Sequence, residues 1–345
     1  MITELKDFDL TRHNTFGMRV KCARWIEYTS AGDLPEIMRQ IGDLPFKAIG
    51  EGSNLLFEGD YDGALLHSRV LDMEAGIDDS GDFLLTAGAG LIFDDVVAHV
   101  CRAGIWGMEN LSAIPGQVGA AAVQNIGAYG VEVADIIDEV LCYDTAERRE
   151  VAFTASDCRY GYRMSMFKTP EAAGRYVVTS VRFRLPAGAG PRLDYGNLRA
   201  SLGDKEPTPL SVREAVIAVR DAKLPAVDEF GSAGSFFKNP VVDRSLFERI
   251  AARYDTLPPH YDLPESKVKI PAAWLIEQCG FKGMERGNVA VWSRQPLIIV
   301  NLTGRAEPQE IIEMQRDITE AVGKRFGITL HPEVEHVISP KTNHR

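Results

Sequence analysis

Ile114-Pro-Gly-Gln-Val-Gly-Ala-Ala-Ala-Val-Gln-Asn-Ile-Gly-Ala-Tyr-Gly130 is the stretch on which the reading of this chain turns. Six small residues, Gly119 to Ala122 with Gly127 and Ala128, leave little side-chain bulk and no clean period. Backbone this bare approaches a flat or extended ligand closely, with Gln124 and Asn125 as polar anchors. From its residues alone the run equally permits tight packing of two elements. A dinucleotide fold of the Rossmann kind is excluded: no GxGxxG follows a strand and opens a helix, and no acidic residue follows at the required spacing.

Upstream lies a second glycine segment, Gly50-Glu-Gly-Ser-Asn54, between the strand-like runs Phe46–Ile49 and Leu55–Phe57. Its glycines allow positive φ, so successive N–H groups can face an anion. Ser53 and Asn54 add side-chain donors. No Gly-Lys-Ser/Thr follows, so it is not a P-loop. A turn like this either joins two strands or cradles a phosphate.

Outward from these segments, patterning predicts strands at Arg24–Thr29, Phe46–Ile49, Phe83–Ala87, Glu139–Asp144, Tyr176–Leu185 and Ile328–Val337. Helices are predicted at Leu34–Ile41, Phe93–Arg102, Asp243–Arg253 and Ala272–Cys279. Val212, Ala215, Val216 and Val219 mark another helix, and the stripe from Ile311 to Phe326 a last one, stopped by Gly327. Pro186-Ala-Gly-Ala-Gly-Pro191 is a turn or linker. Strands and helices mix without strict βαβ order, so the fold class is α+β.

The 345 residues provide for two or three domains. With 45% hydrophobic and 25% charged residues the chain is a soluble globular type, not a disordered one. Its 38 Lys and Arg against 49 Asp and Glu give a net charge of −11, which argues against a general nucleic-acid binder. The start lacks the basic and apolar regions of a signal peptide, and no apolar run is long enough for a membrane span. Five cysteines without a CxxC predict reduced thiols and a cytoplasmic protein. No metal site is expected: the histidines show no ligand spacing, and His331 and His336 would sit on opposite faces of the last strand.

Three further segments hold residues suited to chemistry. Arg159-Tyr-Gly-Tyr-Arg-Met-Ser-Met-Phe-Lys168 is either a solvated basic hairpin or a carboxylate reader built on an arginine fork. Gly231-Ser-Ala-Gly-Ser-Phe-Phe-Lys-Asn-Pro240 does not match a hydrolase elbow. Its Ser235 therefore caps a turn or donates a proton to a strongly basic acceptor. In His331-Pro-Glu-Val-Glu335, a core-facing Val334 would turn Glu333 outward or into a cleft.

Seven segments, in order along nearly the whole chain, resemble the UDP-N-acetylenolpyruvoylglucosamine reductase (MurB) family. They are Asn14–Gly17, Gly50–Phe57, Ile114–Gly130, Tyr160–Arg163, Gly234–Pro240, Ala273–Gly280 and Pro332–Val334. Tyr195, in Asp194-Tyr-Gly-Asn197, resembles a loop of the type I subfamily. The resemblance implies a two-lobed FAD-binding domain of the vanillyl-alcohol-oxidase type plus a C-terminal α+β substrate-binding domain. The implied division is 1–69, 70–205, 206–327, and a returning C-terminal strand and tail at 328–345. It implies FAD held by Gly50, Glu51, Gly52, Ser53, Asn54, Pro115, Gly116, Gly119, Ala120, Asn125, Gly127, Ala128 and Tyr129. NADPH and UDP-N-acetylglucosamine enolpyruvate would use one cleft in turn. Hydride from flavin N5 would reach the enolpyruvyl CH₂ carbon, with Arg163 on the substrate carboxylate. Ser235 would donate the proton, and Glu333 would position or polarise the reacting group. Tyr162, Tyr195, Lys223, Asn239, Lys282 and Gln295 match substrate-binding positions. No nucleic-acid or membrane partner is implied, and a monomer is expected.

The chain departs from the family pattern at Ala122, where proline is common, at Gln117, where a small residue is common, and at Glu335, where several members carry arginine. Two other functions compete. One is an oxidase of the same flavin fold acting on another alcohol or sugar; the other is a non-catalytic binder of flavin or nucleotide sugar.

Overall fold

The computed structural model describes residues 1–195, 198–203, 206–226 and 229–340. Gly196 and Asn197 of the loop after Tyr195, residues 204–205 at one expected boundary, and the tail 341–345 lie outside the described residues.

The first lobe is a four-stranded sheet in the order β1-β2-β5-β3, from β1 (Ile2–Asp9), β2 (Lys21–Tyr28), β3 (Phe46–Ile49) and β5 (Tyr61–Ser68). β1 runs antiparallel to β2, while β2 and β3 run parallel to β5. The short β4 (Leu55–Phe57) stands apart from this sheet. α1 (Leu34–Ile41) has the predicted bounds and buries Leu34, Ile37 and Ile41 against one face of the sheet.

The second lobe is a five-stranded antiparallel sheet, order β11-β10-β12-β7-β6. Its strands are β6 (Met73–Ile77), β7 (Phe83–Gly88), β10 (Ile137–Asp144), β11 (Arg149–Thr154) and β12 (Tyr176–Leu185). β12 shows how alternation sets the faces. Val181, Phe183 and Leu185 point into the core, and Arg182 and Arg184 point out to Asp138. α2 (Phe93–Arg102) buries Cys101 together with Phe93, Val96, Val97 and Val100, the last four each worth about 1.5–3 kcal/mol on leaving water.

The run Ile114–Gly130, which shows no clean period in sequence, contains a seven-residue helix, α3 (Val118–Gln124). A minimal hairpin, β8 (Gly127–Ala128) and β9 (Val131–Glu132), follows. Small residues hide the helical period because a helix packed this closely needs no large side chains: a Cβ on Gly119 would meet the Ala89 Cβ at 2.9 Å.

α4 (Leu198–Leu202) and α5 (Pro209–Lys223) come next. α5 buries Val212, Ala215 and Val216, packs on α2, and joins it through Arg213 and Asp94 at 2.5 Å. By packing α5 belongs with the second lobe, so the boundary expected at 205/206 moves beyond Lys223. The reason is physical: Val212 and Val216 share an apolar cluster with Leu193, Leu198, Trp106 and Tyr129, all of which precede the helix in the chain.

The C-terminal part holds two small antiparallel sheets. One contains β13 (Val241–Asp243), β14 (Tyr261–Leu263) and β15 (Lys267–Lys269), with α6 (Arg244–Ala251) beside it. The other contains β16 (Glu285–Arg286), β17 (Val289–Val291) and β18 (Ile299–Asn301), flanked by α7 (Ala272–Gln278) and α8 (Pro308–Phe326). α8 begins at a capping box, Glu307 with Glu310, and ends at Gly327, φ +69°. Its buried stripe of Ile311, Met314, Ile318, Val322 and Phe326 shares one core with Trp25, Phe57 and Leu65 of the first lobe.

The expected strand Ile328–Val337 shrinks to β19 (Glu335–Val337), parallel to β4. Pro332 lacks an N–H, and the chain before β19 bonds elsewhere: His331 O accepts from Lys238 N, and Glu333 N donates to Phe236 O. His331 and His336 therefore do not share a strand. Val334 is buried, as the core-facing reading required. Among the described residues no helix is long and apolar enough to cross a membrane.

Candidate active site

A cleft of about 300 Å³ opens where both lobes meet the C-terminal part. Its floor is backbone. Gly52 has φ +65°, and a Cβ there would stand 2.4 Å from His13 O; Gly116 has φ +115°. The two glycine segments touch, since Ser53 Oγ donates to Pro115 O at 3.3 Å and a Cβ on Gly50 would meet the Ala120 Cβ at 3.3 Å. Among the described residues the N–H groups of Glu51, Gly52 and Ser53 have no acceptor. Such a row of free donors suits an anion.

The wall is made of side chains. Gly161 and Met164 bond each other across a two-residue turn with Tyr162 and Arg163 at its tip. Arg163 has φ +54°, the position where such turns favour glycine or asparagine. Holding a non-glycine residue there costs about 1–3 kcal/mol, which the surroundings must supply. They do: its Nη1 donates to Asn125 O at 3.2 Å and its Nη2 to Gly127 O at 2.6 Å. Its Nε lies 2.7 Å from Glu333 Oε1, close enough to pair charges though not aligned as a hydrogen bond.

Glu333 is held from both sides. Its N–H donates to Phe236 O at 2.8 Å, next to Ser235, and its carbonyl accepts from Asn54 Nδ2 at 3.2 Å. Ser235 follows Gly234, φ +70°, and lines the cleft with its hydroxyl unbonded among the described residues. Three residues from distant parts of the sequence thus converge.

Residues 225–337 match the family described as UDP-N-acetylenolpyruvoylglucosamine reductase, C-terminal domain, and residues 23–147 match the FAD binding domain family. The UDP-N-acetylenolpyruvoylglucosamine reductase of Porphyromonas gingivalis (strain W83) is 42% identical over 339 residues, covering 96% of this chain and 99% of its own. That of Chromobacterium violaceum is 43% identical over 333 residues, covering 95% and 97%. The chain belongs to the UDP-N-acetylenolpyruvoylglucosamine reductase family. The crystal structure of UDP-N-acetylenolpyruvylglucosamine reductase from Thermus caldophilus has the same fold, with a TM-score of 0.64 at 23% identity over 99% of each chain. The expected FAD-binding domain with a C-terminal partner domain is therefore the architecture of this reductase, and FAD its cofactor.

The residues present fit that cofactor. Besides the donors at Glu51–Ser53, Arg220 of α5 lines the cleft, with its buried Nε left without a partner. Burial lowers the Arg220 pKa from its ordinary value, and the group stays charged as arginines do. A diphosphate is the kind of group that would satisfy both.

Of the expected cofactor residues, Gly50 to Asn54, Pro115, Gly116, Gly119, Ala120 and Gly127 line the cleft, while Asn125, Ala128 and Tyr129 do not. Asn125 is corrected from anchor to brace. Its Nδ2 donates to Glu132 Oε2 and Gly161 O, and its Oδ1 accepts from Ala134 N, so its amide is consumed inside the protein. The Tyr129 ring meets Tyr195 edge-on at 6.3 Å, outside the cleft.

The expected substrate residues lie off the lining as well. Tyr195 stacks on Tyr261 at 6.1 Å, and Lys269 Nζ sits over the rings of Tyr162 and Tyr261. Asn239 Oδ1 accepts from Ala272 N. Lys282 pairs with Glu277 at the surface, at 2.7 Å. Lys223 and the loop of Gln295 are joined by Trp292 Nε1, which donates to Lys223 O.

Sequence reading missed Arg220 and Lys47 as cleft residues. For Arg220 a signal existed: it continues the buried stripe Val212, Val216 at four-residue spacing, where a charge needs a reason. For Lys47 there was none, because its ion pair with Glu335 spans 288 positions. The unusual Gln117 also has a structural use, donating to Gly90 O at 3.1 Å and Ser68 O at 3.3 Å across the lobe junction.

Proposed function

We propose that this reductase uses NADPH and FAD to convert UDP-N-acetylglucosamine enolpyruvate to UDP-N-acetylmuramate, a precursor of peptidoglycan. The observation carrying this reading is the meeting of Arg163, Ser235 and Glu333 in a cleft floored by two glycine segments. FAD, which Gly50–Asn54, Pro115, Gly116 and Arg220 would hold, would supply the hydride for the enolpyruvyl CH₂ carbon. The Arg163 guanidinium takes the substrate carboxylate and stabilises the negative charge that grows beside it. The Ser235 hydroxyl gives its proton to the carbon next to that carboxylate, an acceptor basic enough for so weak an acid. Glu333, beside Arg163, orients that cation and the reacting group.

Tyr162, Tyr195, Lys223, Asn239, Lys282 and Gln295 are proposed to hold the nucleotide sugar, as the resemblance to type I members implies. The Tyr162–Tyr195–Tyr261 cluster with Lys269 offers rings and a cation for that purpose. We place the enzyme in the cytoplasm as a monomer.

An anaerobic visible spectrum tests the reading. NADPH should bleach the flavin band, and the enolpyruvyl substrate should restore it. Bleaching that the substrate fails to reverse would leave an oxidase or another reductase of this fold. A protein that takes up no FAD on reconstitution would remove the flavoenzyme reading itself.

A further inference from the structure

We infer that Lys168 is the residue that holds Arg163 in its working position, by fastening the strained turn that carries it to the end of α3. The inference rests on the proposed role of Arg163.

Lys168 Nζ donates to the carbonyl oxygen of Arg163 at 3.2 Å and to Gln124 Oε1 at 2.6 Å. One ammonium therefore joins the last residue of α3 to the tip of the 161–164 turn. The other ties between these places grip the turn elsewhere or through the side chain: Asn125 Nδ2 on Gly161 O, Ser165 Oγ on Val123 O at 2.6 Å, and the Arg163 guanidinium on Asn125 O at 3.2 Å. Among the described residues only Lys168 grips the backbone of Arg163 itself, at the residue whose φ of +54° opposes its own preference. The guanidinium has its carbonyl acceptors and Glu333, but those contacts need the peptide beneath them to stay turned. Without the ammonium, the turn is free to relax toward negative φ and draw the guanidinium away from Glu333.

The placement is deliberate in energetic terms. Lys168 is half-buried, and burial together with Lys238 lowers its pKa from the ordinary value. Glu335 and Glu333 act against that, and Arg163 adds to it. An uncommitted surface lysine would avoid such surroundings. The neighbouring Phe167 is buried in the second-lobe core and fixes the 166–168 turn, so the local fold does not depend on the ammonium.

The test uses the FAD-loaded enzyme and reads the two half-reactions separately. Lys168→Met should leave flavin reduction by NADPH near wild type. Reoxidation by the enolpyruvyl substrate should slow by between about ten- and a hundredfold, the scale of a displaced positioning group. Lys168→Arg should recover part of that rate. In an Arg163→Ala background, Lys168→Met should add almost nothing, because the residue acts through Arg163.

Full multiplication of the two effects would overturn the inference while leaving Arg163 its role. So would a Lys168→Met enzyme of normal rate beside an impaired Arg163→Ala enzyme. An Arg163→Ala enzyme of normal rate would remove both the proposed Arg163 role and this inference. Should Lys168→Met not fold, Lys168→Gln, whose uncharged amide ends one atom short of the ammonium, should slow reoxidation in the same way and is read by the same rates in the same two backgrounds.

Discussion

The floor and the wall of the cleft are built on opposite plans. The floor, Gly50–Asn54 and Pro115–Ala120, is two continuous runs whose backbone shapes the space. The wall takes Arg163 from a turn, Ser235 from a loop and Glu333 from the returning tail, and acts through side-chain charge and a hydroxyl. The floor holds and the wall reacts. Damage to the floor should therefore appear as lost cofactor or lost stability, and damage to the wall as lost turnover in an intact flavoprotein.

Ser235→Ala gives the largest expected effect. Loss of a positioned proton donor should lower substrate reduction by about 10²- to 10⁴-fold. FAD content and flavin reduction by NADPH should persist, and stopped-flow spectra of the two half-reactions would show the split. Loss of FAD from this variant would erase the distinction between floor and wall.

Gly52→Val attacks the floor. Its Cβ would enter backbone at 2.4 Å from His13 O, at φ +65°. About 1–3 kcal/mol of strain should appear as a lower melting temperature, together with weakened FAD retention. Wild-type FAD affinity in this variant would show that the turn does not cradle the cofactor.

A smaller effect sharpens the comparison from behind the wall. Arg213→Ala removes the pair with Asp94 that pins α5, and with it Arg220, to α2. Both side chains are only partly exposed, so the loss should be about 1–2 kcal/mol after allowance for solvent screening. Burial alone would raise the Asp94 pKa, but Arg213 and the Ala113 N–H outweigh it and hold the carboxyl below its ordinary value. A carboxyl with a depressed folded pKa contributes stability above its unfolded value and loses it as pH falls through the folded one. The wild-type protein should therefore lose this share below about pH 4, where the variant has none to lose. Denaturant melts at pH 7 and pH 3 would check it; an equal gap at both pH values would exclude the ion pair as its source.

Legibility followed the same division. α1, α2 and β12 were readable to the residue because each buries one face with a clean period. The glycine segments were readable as special backbone, though α3 was hidden among small residues. Arg163, Ser235 and Glu333 emerged from family resemblance, since nothing local distinguishes a turn serine or a tail carboxylate from a solvated one. Asn125 was misjudged because a polar side chain at a helix end serves backbone caps as readily as ligands. Lys168 was visible only as one charge in a basic run; its partners Gln124 and the Arg163 carbonyl are set by folding.

By itself the sequence determined the α+β class, the helices and strands with strong periods, the two bare backbone segments and, through seven ordered motifs, the family. Those properties are local or additive along the chain. Only the tertiary structure decided that α5 rides on the second lobe, that the tail pairs with β4, and that Arg220 and Lys47 enter the cleft. Each depends on contacts between residues far apart in sequence, whose energies exist only once the chain has closed its loops.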